Sequence, residues 1–137
     1  MQQYDVKILL ALIECIKGRK DFFKWLLENG YPELAAFSNS VRGDREAQNW
    51  LVKYNYGWLA VLSEAIDGDE KALLWITKNT NQVNFVLAMA CRGDENAYRW
   101  LVQHDLQIFV MMAREIAVVL DVQAAENAGP YVMHFGQ

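Results

Sequence analysis

Residues 43–67 read GDREAQNWLVKYNYGWLAVLSEAID, and this pattern of a glycine followed seven residues later by a tryptophan recurs every 25 residues. The glycines are Gly18, Gly43, Gly68 and Gly93, and the tryptophans are Trp25, Trp50, Trp75 and Trp100. A fixed period of this kind is the sequence signature of a repeat protein, in which one unit cannot bury its apolar faces alone. We therefore expect the units to stack and to share one continuous core.

Each unit has room for two short α-helices. In the first helix, apolar residues fall at i, i+3, i+4 and i+7, the spacing of one buried helical face. In unit 43–67 these residues are Ala47, Trp50, Leu51 and Tyr54. The second helix of this unit is expected to bury Leu59, Leu62 and Ile66. The pattern predicts one helical hairpin per unit, with the tryptophan packed in the core.

The junctions between units carry their own signals. Glycine commonly follows the last turn of a helix, because it adopts the left-handed conformation without the steric penalty of a side chain. Aspartate comes next at three junctions, and its carboxylate is well suited to accept backbone N–H bonds from the helix that follows. These residues are Asp44, Asp69 and Asp94. Each junction is therefore expected to end one helix and to cap the next.

The period predicts an all-α fold, an α-α superhelix (solenoid) of stacked hairpins in a single domain of residues 1–137. The expected segments are a leading helix 4–17, repeats 18–42, 43–67, 68–92 and 93–117, and a C-terminal cap 118–137. The glycine period stops at Val118, and the following helix is expected to end at Gly129-Pro130. The apolar residues 130–137 either dock on the last hairpin or fold against a partner or a second copy, which would give a homodimer.

Residues 18–44, GRKDFFKWLLENGYPELAAFSNSVRGD, resemble ankyrin repeats, in which a glycine opens a helix that ends in a leucine-rich, WLLENG-like run. The resemblance covers residues 4–117 at the level of helix pattern. Ankyrin units usually have 33 residues and a Thr-Pro-Leu-His turn leading from a β-hairpin finger, whereas these units have 25 residues and lack that motif. The resemblance implies ankyrin-like hairpins whose fingers are reduced to short turns. Family members often use those fingers to contact partners.

Composition and charge narrow the functional classes. With 53% hydrophobic and 22% charged residues, the chain is typical of a globular protein. Thirteen Lys and Arg against seventeen Asp and Glu give a net charge of −4, which argues against a nucleic-acid partner. No apolar run approaches the roughly 18 residues of a membrane span, and a signal peptide fits poorly. Because Cys15 and Cys91 are too few for a disulfide scaffold, we expect a soluble, cytoplasmic protein.

Motifs with catalytic or metal-binding chemistry are not recognisable in the sequence. Neither His104 nor His134 has a metal-ligand spacing to cysteine, histidine or carboxylate residues. A glycine-rich phosphate loop, a nucleophile elbow and an HExxH sequence are all missing. The tripeptide Arg-Gly-Asp at residues 42–44 and 92–94 is explained by the helix junctions. We therefore expect no metal, no cofactor and no catalysis.

A row of second-helix residues, here called the ribbon, shares one phase of the 25-residue period. The ribbon consists of Glu14, Asn39, Glu64, Met89 and Arg114. In ankyrin-like stacking this helix lines the concave side, so the ribbon would run across the stack. The aromatic turn at Tyr56 and Trp58 is the second partner-like feature, because Tyr and Trp are enriched at interface hot spots. Ordinary variable surface is the alternative for the ribbon, and local packing is the alternative for Trp58.

The leading functional hypothesis is a non-catalytic module that binds a protein or peptide on the concave face. The residues expected to carry the binding are Tyr56, Trp58, Asn39, Glu64, Met89 and Arg114. The alternative is a small-molecule binder or an enzyme that uses carboxylates in the groove between repeats. Neither hypothesis involves nucleic acid or a membrane.

Overall fold

The computed structural model describes the backbone of residues 1–135 and the side chains of residues 1–127. Within that part the chain forms nine α-helices and no strand, which confirms the all-α prediction. They are α1 (Val6–Ile16), α2 (Lys20–Glu28), α3 (Pro32–Val41), α4 (Arg45–Lys53), α5 (Gly57–Ile66), α6 (Glu70–Asn79), α7 (Gln82–Cys91), α8 (Glu95–Gln103) and α9 (Gln107–Phe135).

The helix junctions have the predicted geometry. The four junction glycines adopt a left-handed backbone with φ between 90° and 105°, and they are Gly18, Gly43, Gly68 and Gly93. The carboxylate of Asp44 accepts hydrogen bonds from the backbone N–H groups of Glu46 and Ala47, and Asp69 caps α6 in the same way. Asp94 caps α8 by accepting one such bond, from the Ala97 N–H. These local signals therefore acted as the sequence analysis expected.

The turns inside the hairpins differ in one place. Three of them hold a left-handed residue between the two helices, and these residues are Gly30, Asn55 and Asp105. The fourth turn has Thr80, which is extended with φ −132° and ψ 178°. A β-branched residue is strongly disfavoured in the left-handed region, so this turn takes another path. Asn81 then caps α7, and its Oδ1 accepts a hydrogen bond from the Asn84 N–H at 3.3 Å.

The five odd-numbered helices form a closed ring. α1 packs against α3, α3 against α5, α5 against α7 and α7 against α9, and α9 packs back against α1. Side chains from all five helices belong to one buried cluster. A superhelix of the expected kind has an open concave face, whereas here the inner faces of the five helices meet around this cluster.

The even-numbered helices lie outside the ring, each over the seam between two inner helices. α2 packs on α1 and α3, α4 on α3 and α5, α6 on α5 and α7, and α8 on α7 and α9. Each of these outer helices inserts one completely buried aliphatic residue, and the four are Leu26, Leu51, Ile76 and Leu101. The second helix of unit 43–67 buries Leu59, Leu62 and Ile66 as predicted.

The prediction that the tryptophans pack in the core is wrong for Trp75 and holds only at the edge of the core for the other three, which pack against the buried cluster. Trp25, Trp50 and Trp100 are half-buried, and Trp75 is 41% exposed. Tyr54, the last residue of the predicted buried face, is 49% exposed. An outer helix touches the ring along one narrow line, so the residue after each tryptophan takes the buried position and the indole lies at the edge of the contact.

Helix α9 is longer than the sequence pattern indicates. It begins at Gln107 as the fifth inner helix and continues without interruption to Phe135, so the end expected at Gly129-Pro130 is wrong. The docking or pairing expected of residues 130–137 concerns side chains that lie outside the described residues. In the described part of the chain, no helix combines the length and apolar composition that crossing a membrane requires.

Candidate functional site

The ring has two chemically different ends, because its helices run parallel. At one end, here called the amino end, residues that precede or begin the inner helices meet, as shown by the contact of Met1 with Asn84. At the other end, the carboxyl end, the inner helices finish. There the Arg42 guanidinium donates a hydrogen bond to the Ile16 carbonyl oxygen. Parallel helix dipoles make the first end partly positive and the second partly negative.

The first residues of the chain close the amino end. The Met1 residue is 1% exposed, and its α-amine donates a hydrogen bond to Asn84 Oδ1 at 3.0 Å. Burial lowers the pKa of this amine to about 5. The Tyr4 hydroxyl donates to Glu33 Oε2 at 2.8 Å, and burial together with this carboxylate raises the pKa of Tyr4. The other oxygen, Glu33 Oε1, is buried without a hydrogen-bond partner.

A neutral cavity of about 360 Å³, here called the tryptophan cleft, opens beside these first residues of the chain. Its lining consists of two indoles and five amide or hydroxyl side chains, with no ionisable side chain. The residues are Gln3, Trp58, Trp75, Asn79, Thr80, Asn81 and Asn84. Trp58 comes from the start of α5 and Trp75 from α6, whereas the polar groups come mainly from the unusual turn at Thr80.

Hydrogen bonds hold the polar wall of the tryptophan cleft. Asn79 Nδ2 donates to the Trp75 carbonyl oxygen at 3.0 Å, and Thr80 Oγ1 donates to the Ile76 carbonyl oxygen at 2.7 Å. Asn81 uses its Oδ1 to cap α7. These bonds orient the turn. They leave the side-chain Oδ1 of Asn79 as an acceptor and the side-chain Nδ2 of Asn81 as a donor for a ligand.

The carboxyl end carries a second cavity, here called the charged cleft, with a volume of about 450 Å³. Helices α3, α4 and α5 supply one wall, and the extended part of α9 supplies the other. Its charged residues are Arg42, Arg45, Glu64, Asp67 and Glu126. In the buried wall, the Ser40 and Ser63 hydroxyls are 2.6 Å apart, and Ser63 donates to the Ala60 carbonyl oxygen. This cleft suits a ligand that carries both charges.

The structure distributes the predicted binding residues over several places. Trp58 lines the tryptophan cleft, whereas Glu64 lines the charged cleft and accepts a hydrogen bond from Gln48 Nε2. Tyr56 is half-buried and its ring stacks parallel to Trp50 at a centroid distance of 6.2 Å.

Three further predicted residues line neither of the two clefts. Asn39 is half-buried, Met89 packs against the core and Arg114 is exposed. Glu14, the first residue of the ribbon, forms ion pairs with Lys17 and Arg19. The ribbon as one docking surface therefore stays a prediction.

Sequence reasoning missed most of the tryptophan cleft. It assigned Trp75 to the core and gave no role to Gln3 or to residues 79–84. The signal that was present is Thr80, which replaces the left-handed residue found at the same position in the other three hairpins.

Metal and thiol chemistry find little support among the described residues. Within that part of the chain, no group of three or more His, Cys, Asp or Glu side chains is arranged to hold a metal ion. Cys15 and Cys91 are free and buried, and burial raises the pKa of both thiols. Neither thiol is therefore activated as a nucleophile.

No protein-family model matches this chain, and no curated protein or solved structure matches it either. The function has to be inferred from the geometry of the two clefts and of the surfaces around them.

Proposed function

We propose that this chain is a non-catalytic interaction protein that binds a short, uncharged peptide segment of a partner in the tryptophan cleft. The observation that carries the proposal is the lining of this cleft, which pairs two indoles with amide groups and holds no ionisable side chain. Tryptophan is the residue most typical of binding hot spots, because it supplies a large apolar surface with little loss of conformational freedom.

The polar wall supports a peptide as the ligand. A peptide backbone offers alternating N–H donors and C=O acceptors, and asparagine side chains offer the matching acceptor and donor. The cleft lies at the lower end of the roughly 300–1,000 Å³ range of ligand pockets, which fits a few residues rather than a folded domain. A charged side chain would enter it without a counter-charge, so neutral segments are favoured.

The proposal extends to the type of fold. We regard the hairpins as shortened ankyrin-like units of an α-α superhelix that closes on itself. The 25-residue spacing of the left-handed junction glycines supports this description. A cytoplasmic location is also proposed, supported by two buried cysteines that are not joined.

Peptide selection tests the proposal. A phage-displayed library of random heptapeptides is selected on the immobilised protein, and the affinity of selected peptides is measured by calorimetry. We expect uncharged sequences, and we expect the Trp58→Ala, Trp75→Ala double variant to weaken their binding about tenfold or more, because each truncation removes a hot-spot residue.

Trp25→Ala is the matched control, because Trp25 is also a half-buried indole of an outer helix but does not line the cleft. Replacing one backbone N–H of the peptide by N-methyl should weaken binding as well. Selected peptides that bind the double variant as tightly as the original protein would refute the proposal.

A second candidate function is binding of a small zwitterionic molecule in the charged cleft. Two arginines and three carboxylates around one cavity favour it, because each sign of charge on the ligand finds a partner. A metabolite library is screened by thermal shift with the original protein and with Arg45→Gln. A ligand that stabilises both proteins equally binds elsewhere. Arg99→Gln is the control, because Arg99 lies on the outer helix α8, away from the cleft.

A further inference from the structure

One seam of the ring has no outer helix among the described residues. Four of the five seams between inner helices are covered by α2, α4, α6 and α8, whereas the seam between α9 and α1 is bare. The sequence gives the reason. At the other unit ends a left-handed glycine turns the chain back into an outer helix, but Val118 stands at that phase and α9 runs straight on.

The bare seam exposes apolar side chains from both of its helices. On α1 they are Val6 and Leu10, and on α9 they are Met111, Val118 and Val122. Leu10 is 41% exposed, whereas at the same phase in the other inner helices Ala35, Ala60 and Val110 are at most 2% exposed and Phe85 is half-buried against the core. The positions are alike, so the difference follows from the missing outer helix. A cavity of about 490 Å³ lies at the carboxyl end of this seam, and its lining mixes apolar side chains such as Val118 and Val122 with the charged residues Lys17, Arg42, Glu115 and Glu126.

The polar contacts of the covered seams show how an outer helix would be held here. At the end of α7, Arg92 binds Glu70 in the first turn of α6, with Nη2 and Oε1 2.7 Å apart. Lys17 holds the same position at the end of α1. Glu64 on α5 accepts a hydrogen bond from Gln48 on α4, and Glu14 holds that position on α1. In the bare seam these two side chains pair with each other, with Lys17 Nζ 3.2 Å from Glu14 Oε1. An outer helix with an acidic first turn and a polar donor would replace this exposed ion pair with its own contacts.

We propose that the seam between α9 and α1 binds an amphipathic helix of a partner protein. The helix would lie as α6 lies on α5 and α7, with an aliphatic residue over Leu10 and Met111 and an acidic first turn beside Lys17. The occupant is a helix because helices fill the four equivalent seams. This site is separate from the tryptophan cleft, so the two proposals stand or fall independently.

The test uses a peptide from the protein's own outer helix. A synthetic peptide of residues 68–80, GDEKALLWITKNT, is stapled between exposed positions to hold it helical and is titrated into the isotope-labelled protein. NMR shifts should change along α1 and α9, and Leu10→Glu should weaken binding about tenfold or more. Val52→Glu, which changes an exposed aliphatic residue of α4 in the same way, is the control and should leave binding unchanged.

Charge exchange tests the orientation. Lys17→Glu should weaken the binding of the peptide about two- to fivefold, and a peptide with Glu70→Lys should restore it, because an exposed ion pair contributes little. A Trp58→Ala variant should bind the peptide as the original protein does, which separates this site from the tryptophan cleft.

Three results would overturn the proposal. The first is a helical peptide that does not bind at millimolar concentration. The second is a set of shifts confined to α5 and α7, which would mean that the peptide only displaces α6. The third is a dimer in sedimentation equilibrium that Leu10→Glu dissociates, because a second copy would then be the occupant.

Discussion

The amino and carboxyl ends of the ring are built by the same five helices, yet they present opposite chemistry. At the amino end, the first residues of the chain insert Met1 and leave a neutral cleft lined by two tryptophans. At the carboxyl end, α9 extends past its neighbours, and two arginines and three carboxylates line a cleft beside it. The chain segments that meet each end, rather than the ring itself, therefore set the chemistry of the two clefts.

Helix dipoles explain part of this difference. Glu33 lies in the first turn of α3 at the amino end, where exposed backbone N–H groups favour a carboxylate. Lys17, Arg42 and Arg92 follow α1, α3 and α7 at the carboxyl end, where a cation is favoured.

The largest expected effect is a pH dependence that arises at the amino end. The pKa of the Met1 α-amine is about 5 in the folded protein and 8.0 when unperturbed. Between these values the unfolded chain binds a proton that the folded chain does not, so the free energy of unfolding should rise with pH from 5 to 8. Since one pKa unit corresponds to about 1.4 kcal/mol, we expect a rise of roughly 2 to 4 kcal/mol, measured by urea unfolding.

To keep histidine side chains, whose model-compound pKa is about 6.5, out of the comparison, the measurement uses a chain with His104→Asn and His134→Asn. Asparagine suits position 104, because Asn29 and Asn79 bond the tryptophan carbonyl oxygen there, as His104 does. A free energy of unfolding that is flat between pH 5 and 8 in this variant would contradict the burial of the amine.

The second effect concerns the Glu33 carboxylate, which accepts one hydrogen bond, from the Tyr4 hydroxyl to Oε2. Tyr4→Phe removes this bond from Tyr4 and leaves a buried carboxylate without a partner, which should lower the free energy of unfolding by about 1 to 3 kcal/mol. Tyr31→Phe is the control, because the Tyr31 ring packs edge-on against Tyr4. Equal losses in the two variants, compared by chemical denaturation, would show that the Tyr4–Glu33 bond contributes nothing.

The sequence predicted what local stereochemistry determines. Left-handed glycines and aspartate caps need only their neighbours, so the junctions at Gly43 and Asp44 could be placed from composition and spacing alone. The closure of the ring depends on the tilt of every hairpin, and it brings α9 against α1 across most of the chain. No spacing in the sequence encodes that contact.

The candidate site was predictable only in part, because tertiary contacts decide which side chains on an apolar helix face are buried and which stay exposed. The helical period places Trp75 on the apolar face, but the contact with the ring is so narrow that its indole stays 41% exposed. Trp58 was recognised because it lies outside the tryptophan period. The amides around it were not, because an Asn-Thr-Asn turn is also typical of an ordinary loop.

Replacing a glycine by alanine should change stability in opposite directions at the two ends of the ring. Gly43 at the carboxyl end has φ +90°, so Gly43→Ala should cost about 1 to 2 kcal/mol through backbone strain alone, because a Cβ there would meet only the Gln123 side chain at 3.9 Å. Gly57 begins α5 at the amino end, and nothing lies within 4 Å of its Cβ position. Gly57→Ala should therefore be neutral or stabilise by about 0.5 kcal/mol. Both variants add the same methyl group, and their stabilities are compared by thermal unfolding. A similar loss of stability in both would contradict the role of the left-handed backbone at Gly43.

The smallest expected effect tests whether charge at the ends follows the helix dipoles. Asp67 directly follows α5, at the position where the other junctions carry Lys17, Arg42 or Arg92. Asp67→Lys should raise the free energy of unfolding by about 0.3 to 1 kcal/mol at low salt. Asp5→Lys places the same charge before α1 at the amino end and should lower it by a similar amount. Since both variants change the net charge equally, a common response would reflect net charge, whereas opposite responses that fade in 1 M salt would reflect the dipoles.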